Sequence, residues 1–183
     1  MRVIAFVVTV LTAASARADS PGRHRGLERD GFMVGVSLGP GAFSGLGDLK
    51  DHSGGGPMLT LRVGTRATET TEWLLELGAG AFADEAGSLP GNQHSFIVVG
   101  AQRYVRSNLW LRGGPGVATY RERRDGEVVD GSRRTGFALM SGVGYDLLQR
   151  GRFALDVEWT ISFAVYSGAW MTHSSLALAA NWY

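Results

Sequence analysis

The chain of 183 residues contains no cysteine. That excludes a disulfide scaffold, a thiolate zinc site and a lipid-anchored lipoprotein, whose lipid needs a cysteine at the cleavage site. Lysine is nearly missing too: Lys50 stands alone, and every other basic residue is arginine. Net charge is also lacking, with 18 Lys+Arg against 17 Asp+Glu, so no whole-chain attraction to nucleic acid is indicated. Beyond residue 18, no window comes near 18 consecutive apolar residues, and no membrane helix is predicted. Glycine, by contrast, is abundant: its 27 residues are about twice the usual share. The length suits a single domain.

Met1–Ala18 reads as a secretory signal peptide. Arg2 gives the positive start, Val3–Ala14 is apolar except for Thr9 and Thr12, and Ala16-Arg17-Ala18 is a small-x-small cleavage site. The apolar run is too short for a transmembrane helix, which needs about 20 residues. Cleavage after Ala18 makes Asp19 the first mature residue and leaves 16 basic against 17 acidic residues. Asp19–Asp30 is polar and reads as an N-terminal tail on the periplasmic side.

From residue 31 to 183 the pattern is a series of alternating runs. Their length fits tilted strands crossing a bilayer, for which about 9–11 residues suffice. Eight are predicted: Gly31–Ala42, Gly56–Ala67, Glu72–Ala83, Ser95–Val105, Leu109–Tyr120, Thr135–Leu148, Phe153–Val165 and Thr172–Tyr183. In the seventh, Phe153, Leu155, Val157, Trp159, Ile161, Phe163 and Val165 form one face, and Asp156, Glu158, Thr160 and Ser162 the other. The fourth is ambiguous, because Ile97/Val99 and Phe96/Val98 compete for one face. Long polar connections (Phe43–Gly55, Asp84–His94, Arg121–Arg134) alternate with short ones (Thr68–Thr71, Arg106–Asn108, Gln149–Arg152). Such an alternation marks a transmembrane barrel with short periplasmic turns and long outer loops.

A soluble barrel points its bulky face inward, whereas a membrane barrel points it at lipid. Here the second face is small or charged, with Arg62, Glu76, Arg112, Asp146, Asp156 and Glu158, which suits a narrow lumen. Trp and Tyr at strand ends fit an aromatic girdle. An eight-stranded lumen is about wide enough for side chains alone, so plugging by Arg–carboxylate pairs is expected and a small pore is the alternative. Pro40 and Pro57 are expected at the loop rim, and Pro115 at a bulge.

These features together resemble the small bacterial outer-membrane β-barrels of the OmpA-like or OmpX-like kind. The resemblance covers nearly the whole mature chain and includes the aromatic end Asn181-Trp182-Tyr183. It implies an all-β, eight-stranded, up-and-down barrel in the outer membrane. It also implies recognition of the last strand, ending Trp182 and Tyr183, by the outer-membrane assembly machinery. Asn181 stands where that signal often carries another aromatic.

Motifs with chemistry are few. His52, His94 and His173 fall near the outer rim, where Asp48, Asp51 or Asp84 could complete a metal site. They share no ligand spacing, so the plainer reading is water-exposed loop histidines and no metal. His173-x-Ser175 is similar to the His/Ser pair of outer-membrane lipid A deacylases. A strand places residues two apart on one face, yet no acid lies between His173 and the end of the chain, and a generic polar strand start is the simpler account. Arg121, Arg123, Arg124, Arg133 and Arg134 could grip lipopolysaccharide phosphates. The competing reading is pairing with Glu122, Asp125, Glu127 and Asp130. Gly113-Gly114-Pro115-Gly116 lacks the lysine and helix of a phosphate loop. The leading expectation is thus a non-enzymatic surface-interaction barrel without cofactor, with the outer loops as its working surface.

Overall fold

The computed structural model describes residues 31–50, 52–83, 91–124 and 127–183. The expected signal peptide (1–18) and polar tail (19–30) lie outside the described residues. Ten strands follow one another: β1 (Phe32–Gly47), β2 (Ser53–Thr68), β3 (Thr71–Phe82), β4 (Asn92–Tyr104), β5 (Leu109–Arg121), β6 (Arg123–Arg124), β7 (Glu127–Val128), β8 (Arg134–Arg150), β9 (Phe153–Tyr166) and β10 (Ala169–Trp182). Eight close into a barrel in the order β1-β10-β9-β8-β5-β4-β3-β2, and β6 and β7 form a separate hairpin. Every barrel neighbour is antiparallel, and β1 meets β10 through Val34↔Trp182 to Gly47↔Ala169. Closure leaves the barrel sheet itself without a free edge among the described residues.

The apolar faces point outward. Leu178 is 57% exposed and Ile97 51%, while their strand neighbours Ala179 and Phe96 are buried. This resolves the ambiguity of the fourth strand: Phe96 and Val98 face the lumen, Ile97 and Val99 the outside. Trp159, midway along β9, also faces outward, and its indole N–H donates to Ser174 Oγ at 2.9 Å. An indole that satisfies its donor within the wall suits an apolar surrounding.

Several expectations are corrected. The first long connection shrinks to Asp48–His52, because Phe43 and Gly45 continue the inward alternation and Ser53–Gly56 pair with β1. Pro40 and Pro57 therefore lie within strands, directly opposite each other. Pro115 marks no bulge. Pairing lapses on its β4 side between Val98↔Gly116 and Ala101↔Gly113, with register unchanged. Pro40 does the same toward β10, between Leu38↔Leu178 and Gly41↔Ser175. A residue without an N–H drops a ladder bond without adding a residue. The real register shifts fall at Arg66/Thr68 and Asp146/Leu148. The outer rim also includes one tight turn, Ser167–Gly168, where Gly168 has φ +74°, a value that favours glycine.

The aromatic girdle is partial. Trp73, Tyr145 and Trp182 face outward near the short-turn rim and Trp170 near the other, but Trp110, Tyr104, Tyr120 and Tyr166 face inward and are buried. Inward bulk is accommodated by glycine. A Cβ at Gly144 would stand 2.0 Å from Trp110 Cζ2, and one at Gly78 2.3 Å from Phe96 Cζ. Part of the high glycine content is thus space for inward aromatic rings.

Candidate functional site: the lumen and the outer rim

The lower lumen, toward the short turns, is built on charge. Arg62 on β2 and Glu76 on β3 are direct cross-strand partners. Glu158 reaches across from β9 and accepts from Arg62 Nη2 at 2.6 Å. Arg112 on β5 donates through Nη1 to Glu158 Oε2 at 3.0 Å and through Nη2 to Glu158 Oε1 at 3.1 Å, and also to Thr160 Oγ1 at 3.0 Å. Its Nε lies 3.2 Å from Glu76 Oε2, and its guanidinium packs 5.0 Å from the Trp110 ring centre. All four charged side chains are buried. The fork geometry of arginine allows one guanidinium to hold one carboxylate by two bonds, and Glu158 thereby ties β9 to β2 and β5 across the lumen. Asp156 and Asp146, also predicted for this network, sit beside it. They face each other between β9 and β8; Asp156 accepts from Asn181 Nδ2 at 2.6 Å, and Asp146 from Gln149 Nε2.

The upper lumen departs from the expected plug of charge. It is filled by a cluster including Phe43, Leu49, Met58, Phe82, Phe96, Tyr120, Met140, Tyr166 and Met171. Phe43 and Phe82 meet edge-on at 4.7 Å. Tyr120 Oη and His52 Nδ1 are 3.0 Å apart at its top. Between the two halves, a void bounded by Leu74, Glu76, Val98, Arg112 and Met140 has no room for a water molecule. A sequence signal for this second plug existed: Phe43, Phe82 and Phe96 occupy the face that elsewhere is small or charged.

The predicted histidine and serine sites are rearranged. His94 and His173 are not water-exposed loop residues; they are strand residues facing the lumen. Among the described residues no group of three His, Asp or Glu side chains is placed to hold a metal ion, and Asp51 and Asp84 lie outside them. His173 and Ser175 share the inward face of β10, and the hydroxyl near the His173 ring is Ser162 Oγ, 3.5 Å from Nδ1. Both residues therefore open to the lumen, away from any acyl chain outside the wall.

The arginine-rich segment spans the β5–β8 connection. Arg121 ends β5, and Arg123 and Arg124 form β6, paired with Val128 and Glu127. Arg133 precedes β8, and Arg134 begins it. Arg134 pairs with Asp48 Oδ2 at 3.2 Å and donates to Ser167 O at 3.1 Å, joining three connections of the outer rim.

An all-antiparallel closed barrel with an apolar outer wall defines an architecture: the eight-stranded, up-and-down β-barrel. No protein-family model and no curated protein sequence matches the chain significantly. Solved structures do match in fold. The Neisserial surface protein A (NspA) superposes with a TM-score of 0.56 at 14% identity, over 84% of this chain and 97% of that one. Ail, the attachment invasion locus protein of Yersinia pestis, gives 0.57 at 12% identity, over 84% and 99%. The same Yersinia protein in complex with the heparin analogue sucrose octasulfate gives 0.56 at 13% identity, over 84% and 99%.

Proposed function

We propose that the protein resides in the outer membrane of a bacterial cell as a closed, non-enzymatic barrel that presents its long loops as an interaction surface. The outward apolar wall carries this reading. Leu59, Leu61, Leu77, Ile97, Val117, Leu176 and Leu178 all face out. Leaving these in water forgoes on the order of 10 kcal/mol of burial. That is comparable to the whole stability of a domain, about 5–15 kcal/mol. A hydrocarbon surrounding removes the cost. The signal-like segment Met1–Ala18 supplies the export route, with cleavage after Ala18, and the strand ending Trp182 and Tyr183 supplies the assembly machinery with its recognition element.

The partners in this reading are outer-membrane lipid and lipopolysaccharide. Arg121, Arg123, Arg124, Arg133 and Arg134 lie along one rim segment and offer anion-binding groups to lipopolysaccharide phosphates. The complex of Ail with a sulfated sugar analogue is an instance of anion binding by a barrel of this fold. The lumen is read as closed, because charged and aromatic layers fill it in series. Cell fractionation with heated and unheated gel samples tests the location: recovery in the outer membrane with a heat-dependent shift is expected, and a soluble species contradicts it. Planar-bilayer recording tests closure, where steady single-channel currents would contradict it. Lipid A mass spectra from cells with and without the protein should be identical; an altered acyl pattern would revive a hydrolase based on His173 and Ser175.

A further inference from the structure

Two imidazoles meet in the upper lumen. His94 on β4 is 2% exposed and His173 on β10 1%; their ring centres are 5.7 Å apart and the planes inclined by 43°. Among the described residues, neither ring nitrogen of His94 has a hydrogen-bond partner. The Nδ1 of His173 lies near Ser162 Oγ, and its Nε2 has no partner among the described residues. Burying such groups without partners is costly.

What surrounds the pair is thioether and aromatic. Met58 and Met171 belong to the same apolar cluster, and the Phe82 and Phe96 rings lie 5.7 and 6.5 Å from that of His173. Glycines keep space open beside the donors. A Cβ at Gly41 would stand 3.0 Å from His173 Nε2 and 3.4 Å from Met58 Cβ. Gly80 is the Cα partner of both Met58 and His94, and a Cβ there would stand 2.9 Å from Met58 Sδ. Met58 thus has its Cβ beside the glycine that faces His173 Nε2 and its Sδ beside the glycine paired with His94.

We propose that His94 and His173 bind a soft monovalent metal ion of the copper(I) class, with the Met58 thioether as a further donor. A metal about 2 Å from one nitrogen of each ring lies roughly 3 Å from each ring centre, so a 5.7 Å separation is bridged by a bent nitrogen–metal–nitrogen arrangement. Imidazole and thioether together favour copper(I) over hard cations. The donor set is neutral, and no carboxylate joins it among the described residues. A buried dication without anionic ligands is far costlier than a monocation. An Nδ1–H of His173 donated to Ser162 Oγ would leave the Nε2 lone pair for the metal, the usual way a neighbouring group fixes a ligand's tautomer.

Refolding the full mature chain in detergent with silver(I), a redox-inert stand-in, or with copper(I) kept reduced tests this directly and removes the question of an entry path. After gel filtration, about one ion per folded barrel is expected. Folding is verified by the heat-dependent gel shift. His94→Gln and His173→Gln should each weaken retention by more than the roughly 10–100-fold typical of losing an outer-shell partner. Met58→Leu should give a smaller loss. Gly41→Ala, which removes no ligand, should weaken binding by filling the space beside Nε2. A refolded wild-type barrel that retains neither ion overturns the proposal and leaves a water- or proton-bridged pair. Retention by both histidine variants equal to that of the wild type, or preferential uptake of zinc(II), overturns it as well.

Discussion

The two halves of the lumen solve the same problem by opposite means. Below, toward the short turns, Arg62, Glu76, Arg112 and Glu158 fill the bore with paired charge. Above, toward the loops, Phe43, Phe82, Tyr120, Tyr166 and Met171 fill it with apolar bulk. The lower plug depends on every partner staying in place, since a buried charge that loses its counter-ion keeps its desolvation cost. The upper plug depends on shape and on glycines that make room. The lower half is therefore brittle to single charge deletions, and the upper half is graded by lost volume.

The largest effect should follow from Glu158→Ala. It leaves Arg62 and Arg112 buried without the carboxylate they share, and a loss of about 3–5 kcal/mol is expected in urea unfolding from lipid vesicles. A loss below about 1 kcal/mol would mean that water reaches the lower lumen. Phe82→Ala in the upper half should cost about 3 kcal/mol, the usual scale for deleting a buried ring, and Phe82→Leu clearly less. Equal costs for the two would show that the ring's shape is irrelevant and the upper plug loosely packed. Arg134→Ala on the rim is the smallest. Its pair with Asp48 is solvent-exposed (32% and 61%), so the change should stay below about 1 kcal/mol. A larger loss would make the three joined connections part of the barrel's stability and not only of its surface.

The strand order and the outward face were legible because local alternation carries them; Phe153 to Val165 on β9 is the clearest case. The charged members of the lower plug were legible for the same reason, since a lone Arg62 or Glu158 on a small-residue face has no other place to go. That arginines would meet carboxylates there was legible too, but not which ones, because Glu158 meets Arg62 and Arg112 from distant strands and only barrel closure brings them together. The upper plug was hidden for a different reason. A large apolar residue reads the same whether it faces lipid or lumen, so Phe96/Val98 could not be told from Ile97/Val99, nor Trp110 and Tyr120 from girdle residues. The tie-breaker was parity counted along the whole strand, together with glycines such as Gly78 and Gly144 that sit beneath inward rings. Pro40 and Pro57 misled because a barrel strand can lose a ladder bond toward one neighbour while holding register with the other.

The absence of native cysteine allows a direct test of which face meets lipid. Single cysteines at Ile161 and Leu178, and separately at Ser162 and Ala179, can carry nitroxide labels in the vesicle-reconstituted protein. The first pair should collide readily with lipid-dissolved oxygen and hardly at all with a water-soluble nickel chelate, whereas the second pair should be shielded from both. Labels at Ile161 and Leu178 that respond to the nickel chelate and not to oxygen would contradict the account.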